Sequence, residues 1–288
     1  MIVLLLLGCT APDLPEEWEL DRLRLLAIRA EPAEPRPGDL VTFTALQYVP
    51  DDAEWSSVWF ACMDGDSDGC SLDPELMEQL QHADELTPEE AMALFQALRE
   101  AGFVGAQPGM DLSWAVPADA LDGLTEAETL EGRSGSLTVT LSTEDDTELT
   151  IKRVPVSLAT TPNHNPDVAP LEFDGNPVDP DASLTVDAGN DVEVHAALVG
   201  DPEEYTYVTT EGDTETRTEK PSWRWYTSGG TLSEVGDGSR GPSFADEGQT
   251  EATYSWITPE EPGTYTLAAV VLDGRGGMGW QRLDVVVQ

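Results

Sequence analysis

The chain has 288 residues, and 56 acidic residues against 14 Lys and Arg give it a formal net charge of -42. This charge excludes a nucleic-acid-binding surface as a main role, because such surfaces depend on Lys and Arg. It also disfavours adhesion to anionic lipid without a covalent anchor. Eight Trp, six Tyr and six Phe can fill real cores, so the length predicts two folded domains.

Residues 1–9 form an apolar run that ends in Leu-Leu-Gly-Cys. This ending resembles the lipobox of bacterial lipoproteins, in which the leader is removed and the cysteine becomes an acylated N-terminus. The resemblance implies that Cys9 is lipidated, that residues 10–21 are a tether, and that the protein lies in the cell envelope. Thr10, in place of Asp, is compatible with outer-membrane sorting. Because no basic residue precedes Cys9, two interpretations stay open: a lipobox whose true start lies upstream, or a short apolar N-terminus without a role.

Residues 22–159 carry the alternation of a β-sandwich. Strands are expected over residues 23–30, 39–49 and 55–62, with a Pro-rich turn after the first. The pattern resumes at 110–116, 136–141 and 148–158. In the second strand, alternate residues should line two faces: Val41, Phe43 and Ala45 on one, and Leu40, Thr42, Thr44 and Leu46 on the other. In the last strand, a bulge near Arg153 would be needed to keep the apolar residues in phase.

A helical insertion interrupts this first sandwich at residues 74–103. Its apolar residues recur at helical spacing. Within it, Thr87-Pro-Glu-Glu90 has the pattern of a capping box with Pro at the first helical position. Two helices that break near Leu86 are therefore predicted.

Cys62 and Cys70 remain as an even pair once Cys9 is assigned to lipid. In an oxidising compartment, such a pair predicts a disulfide that closes a small loop. Two free thiols or a metal site are the alternatives, although His82 as the only nearby imidazole makes a poor zinc set.

The loop between these cysteines matches the pattern of an EF-hand calcium loop. Asp64, Asp66 and Asp68 fall at positions 1, 3 and 5, the Cys70 carbonyl at position 7 and Glu75 at position 12, with glycine at position 6. Alternating carboxylates can converge on one hard cation. The element that enters the loop reads as a strand rather than a helix, so a disulfide-closed loop without an ion is the alternative to a Ca²⁺ site.

Residues 160–166 form a polar, Pro-rich linker, and residues 167–288 form the second domain. Its last segments, Pro262-Gly-Thr-Tyr265 and Asp273-Gly-Arg-Gly-Gly277, resemble the final hairpin of PKD and related Ig-like domains. The resemblance implies a second β-sandwich, with Tyr265 as a corner tyrosine and Trp223 or Trp225 in the core. Residues 199–221 read as a long hairpin or a mobile loop.

The fold class expected is therefore mainly β, with two Ig-like sandwiches in tandem. No residue pattern indicates an enzyme, since His82, His164 and His195 lie in no recognisable catalytic setting. The expected role is non-catalytic: binding, adhesion or scaffolding, with an extracytoplasmic protein or glycan as partner and no nucleic acid. The alternative is a Ca²⁺-dependent carbohydrate-binding or hydrolytic accessory protein that uses exposed tryptophans. Burial of Trp55, Trp59, Trp223 and Trp225 would remove the basis of that alternative.

Overall fold

The computed structural model of the chain describes residues 16–50, 53–63, 70, 76, 79, 86–180, 182–209, 213–234 and 248–288. It is mainly β, as predicted. The strands are β1 Arg24–Glu31, β2 Leu40–Tyr48, β3 Ser56–Cys62, β4 Phe103–Gln107, β5 Ser113–Ala115, β6 Arg133–Ser142, β7 Thr147–Val156, β8 Glu172–Phe173, β9 Asn176–Pro177, β10 Leu184–Val186, β11 Asp191–Ala197, β12 Glu204–Val208, β13 Thr214–Thr218, β14 Ser222–Thr227, β15 Thr231–Glu234, β16 Glu251–Ile257, β17 Gly263–Leu272 and β18 Met278–Val287. The helices whose bounds fall within the described residues are α1 Pro88–Glu100 and α2 Glu126–Glu131.

The first sandwich packs the sheet β1-β2-β5 against the sheet β4-β3-β6-β7. Alternate residues of each strand point into the shared core, where Val41, Trp59 and Leu137 are almost fully buried. The face assignment for β2 is confirmed: Val41 and Phe43 lie in this core, while Leu46 points the other way into the apolar cluster between the two sandwiches. A register shift in β1, between Leu25 and Ala27, is the irregularity in its pairing with β2.

Strand β7 does not contain the bulge that was expected near Arg153. Its pairing with β6 is continuous from Thr147 to Val156. The apolar residues of β7 fall out of alternation for a different reason. Leu149 faces solvent at 63% exposure, and Lys152 takes an inward position at 6%. Lys152 therefore shares the inward face of β7 with Val154 and Val156, where the prediction had placed Leu149 and Ile151 instead.

Helix α1 confirms the predicted capping box. The Thr87 hydroxyl accepts from the Glu90 backbone, and the Glu90 carboxylate accepts from the Thr87 backbone at 2.9 Å. Leu94 and Leu98 pack the helix on Phe60, on the outer face of the sheet. The helix predicted before it lies largely outside the described residues. Among the helices the structure describes, none is long and apolar enough to cross a membrane.

The second sandwich packs the sheet β10-β18-β17-β14 against the sheet β15-β16-β11-β8-β9. Trp223 and Trp225 both lie in its core at 1% exposure. The predicted corner tyrosine is confirmed, since the Tyr265 hydroxyl donates to the Glu261 carbonyl at 3.0 Å. Strands β12 and β13 form the long hairpin expected within residues 199–221.

The two sandwiches lie side by side and share a third apolar cluster. The outer face of β1 and β2 contributes Leu26 and Leu46, and the outer face of β14 and β17 contributes Tyr226 and Val270. The four larger sheets therefore stack in four layers with apolar side chains in each of the three gaps, and the two-stranded sheet β12-β13 lies outside this stack. Apolar burial of this kind stabilises the relative position of the two sandwiches as well as each fold.

Candidate functional site

A disulfide joins Cys62 and Cys70, as the sequence predicted. Their Cα atoms are 5.7 Å apart, within the ordinary range for disulfides. The Cys70 backbone N–H donates to the Thr138 hydroxyl at 3.0 Å, and its sulfur lies 3.1 Å from the Ser136 carbonyl oxygen. Both ends of the acidic loop are thus attached to the first sandwich, one through the end of β3 and the other through the outer face of β6.

The four carboxylates predicted to bind calcium lie outside the described residues. Asp64, Asp66, Asp68 and Glu75 therefore stay a prediction, and only Cys70 of the proposed ligand set is placed. Within the described part of the chain, no group of three or more His, Cys, Asp or Glu side chains could hold a metal ion.

An open groove of about 620 Å³ lies beside the disulfide. The end of β3, the C-terminal end of α1 and strand β5 form its walls. Met63 and Phe103 supply apolar surface, Arg99 and Arg133 bring two positive charges, and Glu100 and Asp119 bring two negative charges to the same lining. The formal charges of these four side chains cancel, so the groove is locally neutral in a chain whose net charge is -42.

A buried ionic cluster joins the two sandwiches at one end of their interface. Arg275, in the hairpin between β17 and β18, lies between two carboxylates, with N–O distances of 2.9 Å to Glu34 and 3.2 Å to Glu219. Its guanidinium also donates to the Thr161 carbonyl and lies 4.2 Å from the centre of the Tyr205 ring. The three charged side chains are at most 13% exposed, so water screens this cluster only weakly.

Asp273 organises the same hairpin. One carboxylate oxygen accepts from the backbone N–H groups of residues 275, 276 and 277, and the other accepts from Asn163 at 2.8 Å. Burial raises the pKa of Asp273 despite these hydrogen bonds, which favour the charged form. Burial, with Asp273 as a second cause, likewise raises the pKa of Glu219.

Lys152 crosses from the first sandwich to this hairpin. Its ammonium donates to the Gly276 carbonyl at 2.7 Å. Burial lowers the pKa of Lys152 from 10.5 to about 8, against the opposing effect of the Asp273 charge. Near neutral pH the interface therefore holds a lysine that is close to losing its proton.

Sequence reasoning identified the Asp273-to-Gly277 segment as a hairpin but not as the contact between domains. Its partners Glu34 and Glu219 lie far away along the chain and carry no local pattern. The available signal was the lysine at position 152, which interrupts an apolar phase and so marks a polar group that needs a buried partner. Asn163, within the predicted linker, is also part of the contact, at 2% exposure.

The described histidines pair with carboxylates. Nδ1 of His164 lies 3.0 Å from Glu203. The two ring nitrogens of His195 lie 3.5 Å from Glu172 and from Glu251. His82 lies outside the described residues.

The burial of the four tryptophans that test the carbohydrate-binding alternative differs among them. Trp59, Trp223 and Trp225 are 1% exposed and belong to the cores. Trp55 is half-buried and lines a separate groove of about 410 Å³ with Arg282. Three of the four side chains are thus unavailable as sugar platforms.

No protein-family model matches the chain, and no curated protein matches it. Among solved structures it is similar to a superoxide reductase (neelaredoxin) from Ignicoccus hospitalis, with 12% identity over 42% of this chain and 82% of the other, at a TM-score of 0.23. It is also similar to domains 4 and 5 of the S-layer protein SbsC, with 10% identity over 92% and 98% of the two chains, at a TM-score of 0.21. A titin Z1Z2 chimera matches with 16% identity over 92% and 98%, at 0.19. At such scores these likenesses carry no argument about function.

Proposed function

We propose that this protein is an exported, lipid-anchored envelope protein with a non-catalytic binding or scaffolding role. The observation that carries the proposal is the Cys62–Cys70 disulfide. Disulfides form and persist in oxidising compartments outside the cytoplasm. Export requires a signal at the N-terminus, and the residues that end in Cys9 resemble the signal of bacterial lipoproteins. The disulfide and the lipobox thus support the same location independently.

The binding role draws support from the groove beside the disulfide. Apolar side chains and charged side chains of both signs line it, which fits a partner that presents polar groups beside an apolar segment. The apolar cluster between the two sandwiches stabilises their contact, which suits a protein that holds such a surface in position. Because three of the four marker tryptophans are core residues, we prefer this proposal to the carbohydrate-binding alternative.

The test of anchoring is a Cys9→Ala variant expressed with its natural leader in a Gram-negative host. Native protein should fractionate with membranes, and Cys9→Ala should be released or retained as unprocessed precursor. Mass spectrometry of the native N-terminal peptide should show an acylated Cys9. Thr10→Ala is the matched control, because it changes the next residue without removing the thiol.

Two results would contradict the proposal. One is a native protein whose N-terminal peptide begins at Met1 and carries no acyl chain. The other is a Cys62–Cys70 pair that reacts fully with thiol reagents in intact cells.

A further inference from the structure

The hairpin β12–β13 has one edge that faces the rest of the molecule and one edge that is open. On the side of β12, the Thr206 N–H donates to the Thr161 hydroxyl at 3.0 Å, and helix α2 lies beside the strand. On the other side, all five residues of β13 are exposed, and no strand among the described residues pairs with them. The outer edge of β13 can therefore accept a strand from another chain.

Alternate residues of β13 direct their backbone polar groups toward this open edge. The Glu219 N–H donates to the Glu203 carbonyl at 3.0 Å, and the Thr209 N–H donates to the Asp213 carbonyl at 2.7 Å. Because the bonds of an antiparallel ladder alternate along each strand, the odd-numbered residues of β13 bond to β12 and the even-numbered residues point outward. The outward-pointing residues are Thr214, Thr216 and Thr218.

The sequence of β13, Thr-Glu-Thr-Arg-Thr, is complementary to itself when two copies run antiparallel. With Thr216 opposite its own counterpart, Glu215 of each copy lies opposite Arg217 of the other. Thr216 is then a hydrogen-bonded pair with its counterpart, and Thr214 with Thr218, so that the backbones share about six hydrogen bonds. The Glu215–Arg217 pairs fall at the non-hydrogen-bonded positions, where facing side chains come closest.

We propose that this protein forms a two-fold symmetric dimer through the outer edge of β13, with a second copy of the chain as the partner. The joined sheet has four strands, with the two β13 strands at its centre. A two-fold contact needs each pair of residues to occur twice, and the order Glu215-Thr216-Arg217 meets this requirement. Because β12 faces its own molecule, pairing through β13 closes with two copies and does not continue into a fibre.

Arg217 and Glu215 are placed at the surface for such a contact. Their charged groups are 2.9 Å apart on the same strand, with exposures of 43% and 54%, so water still reaches both. The Arg217 guanidinium also lies 3.5 Å from the centre of the Tyr207 ring, which holds it against the face of the hairpin. In the dimer, two guanidinium groups and two carboxylates alternate across the symmetry axis on this face.

The net charge of -42 on each copy opposes the association. The edge itself is neutral, because the charges of Glu215 and Arg217 cancel. In the joined sheet the two β12 strands are about 14 Å apart, which exceeds the Debye length of about 8 Å at physiological ionic strength. Five residues a side are few beside the 20–30 residues of about 800 Å² that each partner buries in a stable interface, so we expect a weak dimer.

The test is sedimentation equilibrium of the full chain in detergent solution, from about 10 µM to about 1 mM, the range for a small interface. The natural chain should give monomers and dimers and no larger species. Glu215→Arg and Arg217→Glu each place like charges opposite one another twice, so each should lower the association constant by about tenfold or more. A 1:1 mixture of these two variants should associate again, and so should the double variant that exchanges the two charges.

These variants separate edge pairing from net charge. Glu215→Arg makes the chain less negative, so an association governed by overall repulsion would become stronger in this variant, whereas edge pairing requires it to become weaker. Thr216→Pro removes the outward N–H at the centre of the ladder and leaves the bonds to β12 in place, so it should also weaken the dimer. Thr216→Val is the matched control, because it keeps the N–H and should associate like the natural chain.

Three results would overturn the proposal. The first is a natural chain that stays monomeric throughout the concentration range. The second is an association of Glu215→Arg and Arg217→Glu that equals that of the natural chain, since another surface would then be responsible. The third is a monomeric state of both the 1:1 mixture and the charge-exchanged double variant, although complementary charges face each other in both.

Discussion

The interface between the sandwiches has an apolar half and an ionic half, and the two halves contribute differently to stability and to the relative position of the sandwiches. The apolar half is the cluster around Leu26, Leu46 and Val270, whose burial stabilises any close approach of the two faces. The ionic half is the cluster of Arg275 with Glu34 and Glu219, in which one guanidinium donates to both carboxylates. Apolar packing is tolerant of small shifts, whereas a buried charge without its partner is strongly destabilising. The comparison indicates that the first half supplies stability and the second fixes the relative position.

The largest effect should come from Arg275→Ala. It leaves the Glu34 and Glu219 carboxylates buried without their cation, and breaking a buried pair in this way typically costs about 3–5 kcal/mol. The free energy of unfolding from urea titration should fall by about that amount. Arg217→Ala is the control, since its pair with Glu215 is exposed and such pairs contribute at most about 1 kcal/mol. Equal losses in the two variants would show that burial adds nothing to the Arg275 cluster.

The apolar half is tested by Leu46→Ala. Leu46 is 6% exposed, and truncation of a buried leucine costs about 2–5 kcal/mol; we expect a value near 2–3 because the cluster lies between two domains that can shift together. Leu40→Ala on the same strand is the matched control, because Leu40 is 62% exposed. Thermal unfolding should show a clear loss of stability for Leu46→Ala and none for Leu40→Ala.

A separate early transition for one sandwich, seen only in Arg275→Ala, would support the division of roles between the apolar half and the ionic half.

The sequence predicted the architecture well, since core alternation and turn chemistry are local. The faces of β2 and the capping box at Thr87 follow from neighbours along the chain, and the Tyr265 corner follows from the resemblance to PKD-like domains. The ionic half was not predictable in the same way. Glu34, Lys152 and Glu219 meet Arg275 or its hairpin only because two sandwiches stack, and in a chain with 56 acidic residues no single carboxylate stands out.

Lys152 gives the ionic half a pH dependence that the apolar half lacks. Its pKa is about 8 in the folded protein and 10.5 ordinarily, so between these values the unfolded chain binds the proton that the folded chain has released. Stability from this group should therefore rise with pH in that window, by about 2 kcal/mol between pH 8 and pH 10. Lys152→Met should remove the rise. The measurement is the difference in unfolding free energy between the natural chain and the variant at several pH values, which cancels the other titrating groups.

A constant difference across that range would show that Lys152 stays protonated, held by Asp273 and the Gly276 carbonyl. Asp273 and Glu219 make stability change with pH in the opposite direction. Their pKa values are raised, so the folded protein holds their protons to higher pH than the unfolded chain, and stability from them falls as pH rises through the acid range.

The smallest effect is expected from Ca²⁺ binding to the acidic loop that begins at Cys62. There, as at the interface, the question is whether each carboxylate has a partner that offsets its charge. At the interface each buried carboxylate has a cation or a hydrogen-bond donor, whereas Asp64, Asp66, Asp68 and Glu75 would need a bound ion to offset their mutual repulsion. If they bind Ca²⁺ with the dissociation constant of about 10⁻⁴ to 10⁻³ M found in extracellular modules, 1 mM Ca²⁺ should stabilise the fold by about 0.4 to 1.4 kcal/mol. Thermal unfolding with Ca²⁺ and with chelator measures this shift.

Asp64→Ala should abolish the Ca²⁺-dependent shift, and Asp145→Ala should leave it unchanged. The second variant removes the same charge from the exposed turn between β6 and β7, so it controls for the general effect of Ca²⁺ on an acidic chain. Isothermal calorimetry should give heat for the natural chain and none for Asp64→Ala. A shift that survives Asp64→Ala would assign the effect to screening of the net charge. No shift in any variant would leave the disulfide alone in closing the loop, and the pattern of carboxylates would then have no bound cation to explain it.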